Sequence, residues 1–367
     1  MNIQTLEPFS RRNNVAVLYQ VSEMYAPYCC VSIASIIQHA TPEHYYDIVI
    51  LCHDMTEVTK NRLLRYVERK KAQVSAHVSL RFYDVNNVVE PWRSKLPNSE
   101  HFPDEKYPKI LMCSYWFVDQ IFPEYEKVIR IGADTLLMED IAGIYNEDIG
   151  ENWIGAVRDT GNRYVLANKE KAEYYKRKMG FDFDEMLKCY INADMQVINI
   201  PQWKKHQLRE TLLQTGNRTD DEPWSAVEQD VVNFVCRGHI HYFGYRWNCF
   251  PYYAPVMKVM EPDDTQEWHE AQSAPALIHF APEKPWHNQS AQFADSWWEY
   301  ARETPFYELM LRRLYAYQDV IRQKLDSLRF RIRKEKFLMC ILPGKKKRQK
   351  KIQQLQERLQ DWNFILK

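Results

Sequence analysis

Asp134 follows a short apolar run in Gly132-Ala133-Asp134-Thr135. A carboxylate at such a point can ligate a hard divalent cation that bridges a pyrophosphate. The plainer reading of a lone Asp there is a turn or a helix cap. Other polar clusters stand at comparable points. Asp159 comes after Trp153 to Val157, Asn192-Ala193-Asp194 just before Met195, and Glu228-Gln229-Asp230 at the head of Val231 to Val235. His279 sits within Ala276 to Phe280 and is either a metal-ligand type or a satisfied core histidine. Lys284 could clamp a phosphate, and Trp286 could stack on a sugar ring or simply pack.

These side chains act together only if the elements around them converge. Val15 to Tyr19 reads as a strand, followed by a helix over Ala26 to Gln38 with Cys30, Ile33, Ala34 and Ile37 on one stripe. Asp47 to Cys52 is a second strand, and Thr56 to Ala72 a second helix on Leu63, Leu64 and Val67. Val78 to Val85 alternates like a half-buried strand, Lys109 to Ile121 reads as helical, and Val128 to Ile131 as a short strand. Trp153 to Val157, Met195 to Ile200 and Ala276 to Phe280 are further strands, with helices over Asn168 to Met179, Pro223 to Val235 and Pro305 to Lys336. This β-α-β-α-β order predicts an α/β fold with a doubly wound, mostly parallel sheet. Ligands of such sheets sit beyond the carboxyl ends of the strands, where Asp134 and Asp159 fall.

Composition removes several alternatives. There are 10 glycines, and no three of them take a G-x-G-x-x-G or Walker-A spacing, which counts against a Rossmann dinucleotide site or a P-loop. The eight cysteines form no Cys-x-x-Cys pair, as expected of buried, reduced thiols in a cytoplasmic protein. No apolar h-region follows Arg11 and Arg12, so no secretory signal is expected, and no run is long enough to span a bilayer. Asn217-Arg218-Thr219 and Asn288-Gln289-Ser290 then read as chance matches to a glycosylation acceptor. Forty-nine basic and forty-nine acidic residues cancel, but unevenly. The window Arg322 to Lys351 holds thirteen Lys or Arg against two acids, a net of +11, which leaves the other 337 residues at −11.

The ordered set of short motifs resembles glycosyltransferase family 8, the retaining enzymes with a GT-A nucleotide-sugar-binding fold. The likeness runs from about Asn14 to Trp298. It is carried by Tyr25-Ala26-Pro27, Lys127-Val128, Asn152-Trp153-Ile154-Gly155-Ala156 before Asp159, and Asn192-Ala193 with Val197-Ile198-Asn199. Gln229-Asp230 with Asn233, Trp247-Asn248, and His279-Phe280 with Lys284-Pro285-Trp286 complete it. The resemblance implies a UDP-sugar donor and a manganese or magnesium ion on its diphosphate, held by an Asp-x-Asp pair and a distant His. Asp134 and His279 match two of those ligands, while Gly132 replaces the first Asp, so weak binding of the ion is expected. It further assigns the donor to Glu23, Tyr25, Ala133, Asp134 and Lys284, and sugar contacts or transition-state stabilisation to Asp159, Asn192 and Gln229, with Asp194 a candidate compensating carboxylate.

Other departures accompany Gly132. Ser22 and Met24 stand where the family has an Asp and an Asn that read the uridine, and Tyr115 where it has a donor-contacting Arg. Asp194 and, by spacing, Pro282 replace glycines, and Glu228 replaces an Asp. Two readings follow. One is a retaining hexosyltransferase similar to bacterial lipopolysaccharide galactosyl- and glucosyltransferases, acting on a glycan or glycolipid. The other is a catalytically impaired relative that serves as a binding or scaffolding partner of an active glycosyltransferase.

The expected organisation is an N-terminal tail over 1–13, a glycosyltransferase domain over 14–304 and a basic amphipathic helical tail over 305–367. Basic clusters beside Phe337 to Leu342 suit an anionic membrane surface, at about 1 kcal/mol per basic residue near it. The implied location is cytoplasmic, peripheral on the inner face of the cell membrane. A solvated helix pair or a dimerisation coil would explain the same pattern. Nucleic acid is not an expected partner, since no base-reading motif accompanies the charge. Acceptor recognition is expected in the loops Glu90 to Lys106 and Phe250 to Gln272.

Overall fold

The structure is a computed structural model that describes residues 4–97, 108–161, 168–218, 224–251, 262–281, 283–341 and 345–365. Parts of both expected acceptor loops (98–106 and 252–261), Thr219, Pro282 and the Pro343-Gly344 break lie outside the described residues. The chain forms two compact units, Met1–Pro282 and Glu283–Lys367, a division that falls earlier than the boundary expected after residue 304.

The first unit is built on a seven-stranded sheet in the order β3-β2-β1-β4-β7-β6-β8. Its strands are β1 (Asn14–Gln20), β2 (Tyr45–Cys52), β3 (His77–Asp84), β4 (Lys127–Ile131), β6 (Ile154–Arg158), β7 (Ile191–Asn199) and β8 (Ile240–Phe243). β1 and β2 are near-continuous apolar runs because both faces of the sheet are covered. The helix α1 (Ala26–His39) starts with Pro27 in its first turn and is buried along almost its whole length. The helix α2 (Glu57–Lys71) is capped by Thr56 and buries Leu63 and Val67 of the stripe read from the sequence, with Tyr66 buried in place of Leu64, which is only half-buried.

β7 sets the geometry of the site. β1, β2, β3 and β4 are mutually parallel, and β6 and β8 are parallel, but β7 is antiparallel to both β4 and β6. The start of β7 therefore lies at the same edge as the carboxyl ends of β4 and β6. A residue that opens β7 meets residues that follow the other two strands. A second, two-stranded sheet pairs β5 (Thr135–Leu137) with β9 (Leu277–His279), antiparallel, with Thr135 opposite His279. This pairing draws His279 beside the turn that carries Asp134, and the Phe280 N–H donates to the Asp134 carbonyl at 2.9 Å. The helix α3 (Val227–Val235) packs against β7.

Close approach explains one glycine on this edge of the sheet. A Cβ on Gly155 would stand 2.5 Å from the Phe243 ring and 3.0 Å from Ile149, so β6 and β8 meet across a position that admits no side chain.

Four expectations about elements need correction. β7 begins at Ile191 rather than Met195, so Asn192, Ala193 and Asp194 are part of the strand and not of a loop before it. The stretch Lys109 to Ile121 is not one helix but two short α-helical turns, Lys109–Met112 and Val118–Ile121, with a 3₁₀ turn Ser114–Phe117 between them. β5 and β8 were not anticipated, being only three and four residues long. The helix expected from Pro223, a position outside the described residues, starts at Val227.

The second unit holds α4 (Ala294–Glu303), α5 (Tyr307–Ile341) and α6 (Lys345–Ile365). Trp286 is buried against Trp297, with ring centroids 5.2 Å apart, and the Trp298 indole N–H donates to the Pro285 carbonyl. Of the two roles open to Trp286, packing is the one observed. α5 runs on through Phe337, which the sequence had placed in a separate apolar patch. α5 and α6 meet along a seam of Leu328, Ile332, Ile352 and Leu355, flanked by Met339 and Leu359. Among the described residues no helix is long and apolar enough to cross a membrane.

Candidate active site

The edge where β4, β6 and β7 meet gathers the polar residues picked out in the sequence. Asn192 donates to Asp159 Oδ2 at 3.3 Å, and Gln229 Nε2 donates to the same oxygen at 3.1 Å. Gln229 Oε1 accepts from the Ala193 N–H at 2.9 Å and from Asn192 Nδ2 at 3.4 Å. The Gln229 side chain is thus fixed at both amide atoms. Asp230, fully buried, accepts from the Tyr190 hydroxyl at 2.6 Å and from the Ala226 N–H at 2.8 Å, fastening α3 to the start of β7. Val227 enters α3 at φ 41°. A β-branched residue resists that left-handed conformation, so strain of roughly 1–3 kcal/mol is held directly before Glu228 and Gln229.

Asn248, quoted in the sequence only as part of a motif, turns out to set the state of His279. The Asp194 main-chain N–H donates to Asn192 Oδ1 at 3.1 Å, which identifies that atom as oxygen. Asn248 Nδ2 donates to the same oxygen at 3.1 Å. Asn248 must then turn its own oxygen to His279 Nδ1, 2.9 Å away, so Nδ1 carries the hydrogen. In the neutral ring Nε2 is left as a bare lone pair. His279 is 1% exposed, and its Nε2 has no hydrogen-bond partner.

That lone pair faces carboxylates. Asp134 Oδ1 is 3.4 Å from Nε2, and Asp194 Oδ2 is 4.0 Å from it. Such an arrangement is repulsive unless positive charge stands between the groups. A histidine that donates one ring N–H to a fixed partner and aims the other nitrogen at carboxylates has the form of a metal ligand. Asp134 and His279 therefore suit a hard divalent cation as two of its ligands. Among the described residues no three His, Cys, Asp or Glu already stand in ligating geometry.

Arg130, unremarked in the sequence, is the principal buried cation of the site. It lies on β4, and its guanidinium stacks 4.2 Å from the centroid of the Tyr115 ring. Tyr115 occupies the place where an arginine was expected, so a guanidinium returns to that neighbourhood from the facing strand. Arg130 donates to Gln20 Oε1, to the Ala193 carbonyl and to Asp194 Oδ1, the last at 3.0 Å, and stands 4.0 Å from Glu228 Oε1. A signal was present in the sequence: an Arg at the centre of an otherwise apolar strand needs buried partners.

Burial pushes the Glu228 carboxyl up to about 7; the Arg130 charge opposes the rise and Asp194 adds to it. Between the ordinary value of 4.5 and about 7 the folded chain keeps a proton that the unfolded chain has released. Stability therefore falls as pH rises through that window and is flat above it, by on the order of 3 kcal/mol in full. Glu228→Gln cannot ionise and is expected to flatten this fall. Urea unfolding at pH 5 and pH 8 checks it: the variant should gain on the wild type by about 1–3 kcal/mol at pH 8 relative to pH 5. An unchanged difference would place the Glu228 titration at its ordinary value.

The remaining residues of the sequence reading are placed as follows. Tyr25 precedes α1, and its ring meets that of Tyr28 edge-on. The Glu23 carboxylate accepts from the Thr56 N–H at 2.8 Å and from the Thr59 hydroxyl at 2.5 Å, so it closes the N-terminus of α2. Ala133 is buried in the turn before Asp134. Lys284 belongs to the second unit, where its ammonium lies 5.8 Å from the Trp286 ring. The described cysteines are all free, as expected.

Comparison with known proteins agrees with this geometry. The profile of "Glycosyl transferase family 8" matches residues 16–290. General stress protein A of Bacillus subtilis is 25% identical over 185 residues, 49% of this chain and 59% of that protein, so the chain spans about three fifths of its length. Lipopolysaccharide 1,3-galactosyltransferase of Salmonella typhimurium is 22% identical over 279 residues, 75% of this chain and 74% of that protein. Among solved structures, galactosyltransferase LgtC in complex with donor and acceptor sugar analogues superposes with a TM-score of 0.61 at 20% identity, over 79% of this chain and 96% of that one. The fold is thus shared with GT-A glycosyltransferases, as the resemblance of the sequence motifs implied.

Proposed function

The chain belongs to glycosyl transferase family 8, and from that premise we propose that it transfers a hexose from a UDP-sugar to a glycan or glycolipid with retention of anomeric configuration. One observation carries the reading: the buried Nε2 lone pair of His279, oriented by Asn248 and facing Asp134 at 3.4 Å. Such a pair of groups suits the diphosphate-bound cation of a nucleotide sugar. Asp134 and His279 would hold manganese or magnesium, which when bound neutralises charge on the departing diphosphate. Asp159 and Asn192 would hold sugar hydroxyls from the hydrogen-bonded cluster described above. Gln229, immobilised at both ends of its amide, would face the anomeric carbon and stabilise its developing positive charge. The bond from that carbon to the phosphate oxygen breaks, and the acceptor oxygen bonds on the same face. The acceptor proton passes to the leaving phosphate oxygen.

Calorimetry with UDP, with and without manganese, tests the assignment. Manganese-dependent binding is the expected result. No binding in either condition, together with no UDP-sugar hydrolysis, would favour the alternative of a non-catalytic partner of an active glycosyltransferase.

The same proposal extends to a membrane. The Salmonella relative's name places its product in lipopolysaccharide, and the basic window of the second unit suits an anionic lipid surface. Phe330 and Phe337, 67% and 64% exposed, stand seven residues apart on α5 and so share one face among Arg and Lys. We read this face as lying on the inner surface of a bacterial cell membrane, with the chain cytoplasmic. Flotation of the full chain with phosphatidylglycerol vesicles is expected, and Phe330→Ser with Phe337→Ser should reduce it at least fivefold. Equal flotation of both proteins would refute the tether.

A further inference from the structure

Gly132 and Asp194 face each other across two antiparallel strands. β4 and β7 pair Ile131 with Met195, and the Gly132 N–H continues the ladder by donating to the Asp194 carbonyl at 2.9 Å. Residues so opposed project their side chains to the same face of a sheet. A Cβ built on Gly132 would lie 2.6 Å from Asp134 Oδ1 and 3.4 and 3.6 Å from Asp194 Cβ and Cγ. The room that a side chain at 132 would need is filled by two carboxylates, one of which reaches in from β7.

The orientation of Asp194 has a further cause. Its Oδ1 is bound by the buried Arg130 guanidinium at 3.0 Å, which leaves Oδ2 as the oxygen turned toward His279 Nε2, at 4.0 Å. Ligand atoms about 2.1 Å from an octahedral cation are separated by about 3.0 Å when adjacent and about 4.2 Å when opposite. The distances from His279 Nε2 to Asp134 and Asp194, 3.4 and 4.0 Å, lie between those two values, so Asp194 must turn to complete the set. Asp194 is also 43% exposed in its side chain, so a small rotation is open to it.

We propose that Asp194 is the third protein ligand of the divalent cation, delivering from β7 the carboxylate that position 132 lacks, with Arg130 as the residue that positions it. The proposal rests on the reading of Asp134 and His279 as cation ligands, and the test separates the two. Manganese binding to the full chain is followed by the electron paramagnetic resonance signal of the free ion, with no donor and no turnover. Asp194→Asn, which keeps the shape and the acceptor to Arg130, is expected to weaken binding at least tenfold. Asp194→Gly should do the same, and adding Gly132→Asp to it should restore affinity to within about threefold of the wild type, since the carboxylate returns from the opposite strand.

Wild-type affinity in Asp194→Asn alongside lost affinity in Asp134→Asn would overturn the role of Asp194 while leaving the cation reading intact. Weak binding in Asp194→Gly that Gly132→Asp fails to recover also counts against it. Absence of manganese binding by the wild-type chain overturns both.

Discussion

Replacing Asp134 by asparagine is expected to lower hexose transfer by at least about a thousandfold, the largest effect of any single change in the site. The substitution keeps the size of the side chain and leaves the main chain untouched, including the Phe280 N–H bond to the residue 134 carbonyl. What it removes is one negative charge, 3.4 Å from a histidine nitrogen that has no other partner. In a site already short of one carboxylate at Gly132, no nearby acid duplicates that charge in the same turn. The loss should appear in kcat rather than in folding, so the variant should unfold at a denaturant midpoint close to that of the wild type. UDP calorimetry supplies the cross-check: the manganese-dependent part of the affinity should vanish, and the manganese-independent part should stay. Transfer that survives Asp134→Asn at more than a tenth of the wild-type rate would exclude Asp134 from the cation site.

Asn248→Ala should weaken manganese binding by about 10- to 100-fold although Asn248 is not itself a ligand. Asn248 accepts from His279 Nδ1 at 2.9 Å and donates to Asn192 at 3.1 Å, so it decides both which histidine nitrogen carries the hydrogen and where Asn192 points. Without it the ring is free to adopt the other tautomer, with a hydrogen on Nε2 that would donate to Asp134 instead of leaving a lone pair for the cation. Asn248→Asp provides the control. A carboxylate still accepts from Nδ1 but cannot donate to Asn192, so manganese affinity should recover more than transfer does. Identical manganese affinity in the wild type and Asn248→Ala would show that the tautomer is not set by this bond.

Much of the first unit was legible because its strands are long apolar runs or clean alternations, and its helices carry single stripes. Short elements were not. β5 and β8 contain too few residues to show a period, and β7 carries Asn192 and Asp194 directly after its first residue, Ile191, which looks like a loop until its hydrogen-bonded neighbours are known. The stretch between Lys109 and Ile121 breaks at Ser114-Tyr115-Trp116-Phe117, all four buried, so no change in the apolar pattern marks the break in the sequence.

In the site, the titratable residues at strand ends were recognisable by type. Their supports were harder to see. Asn248 matters through which end of an amide faces a ring, and no residue type announces that. Arg130 acts through partners on β1, β7 and α3, which the chain brings together only on folding. Glu23 shows the reverse case, a residue read toward a ligand whose carboxylate the fold binds to a helix end.

The reversed direction of β7 has a consequence for how this site can change. On its β4 side the register is fixed, with Ile131 opposite Met195 and the Gly132 N–H donating to the Asp194 carbonyl, so remodelling there comes by exchange of residue type. On its β6 side the register slips between Ala156 opposite Gln196 and Arg158 opposite Ile191, so β7 sets four residues, 192–195, against Val157 alone. Asn192 and Asp194 both lie in that bulge, and a gain or loss of length is absorbed there without disturbing the β4 partner.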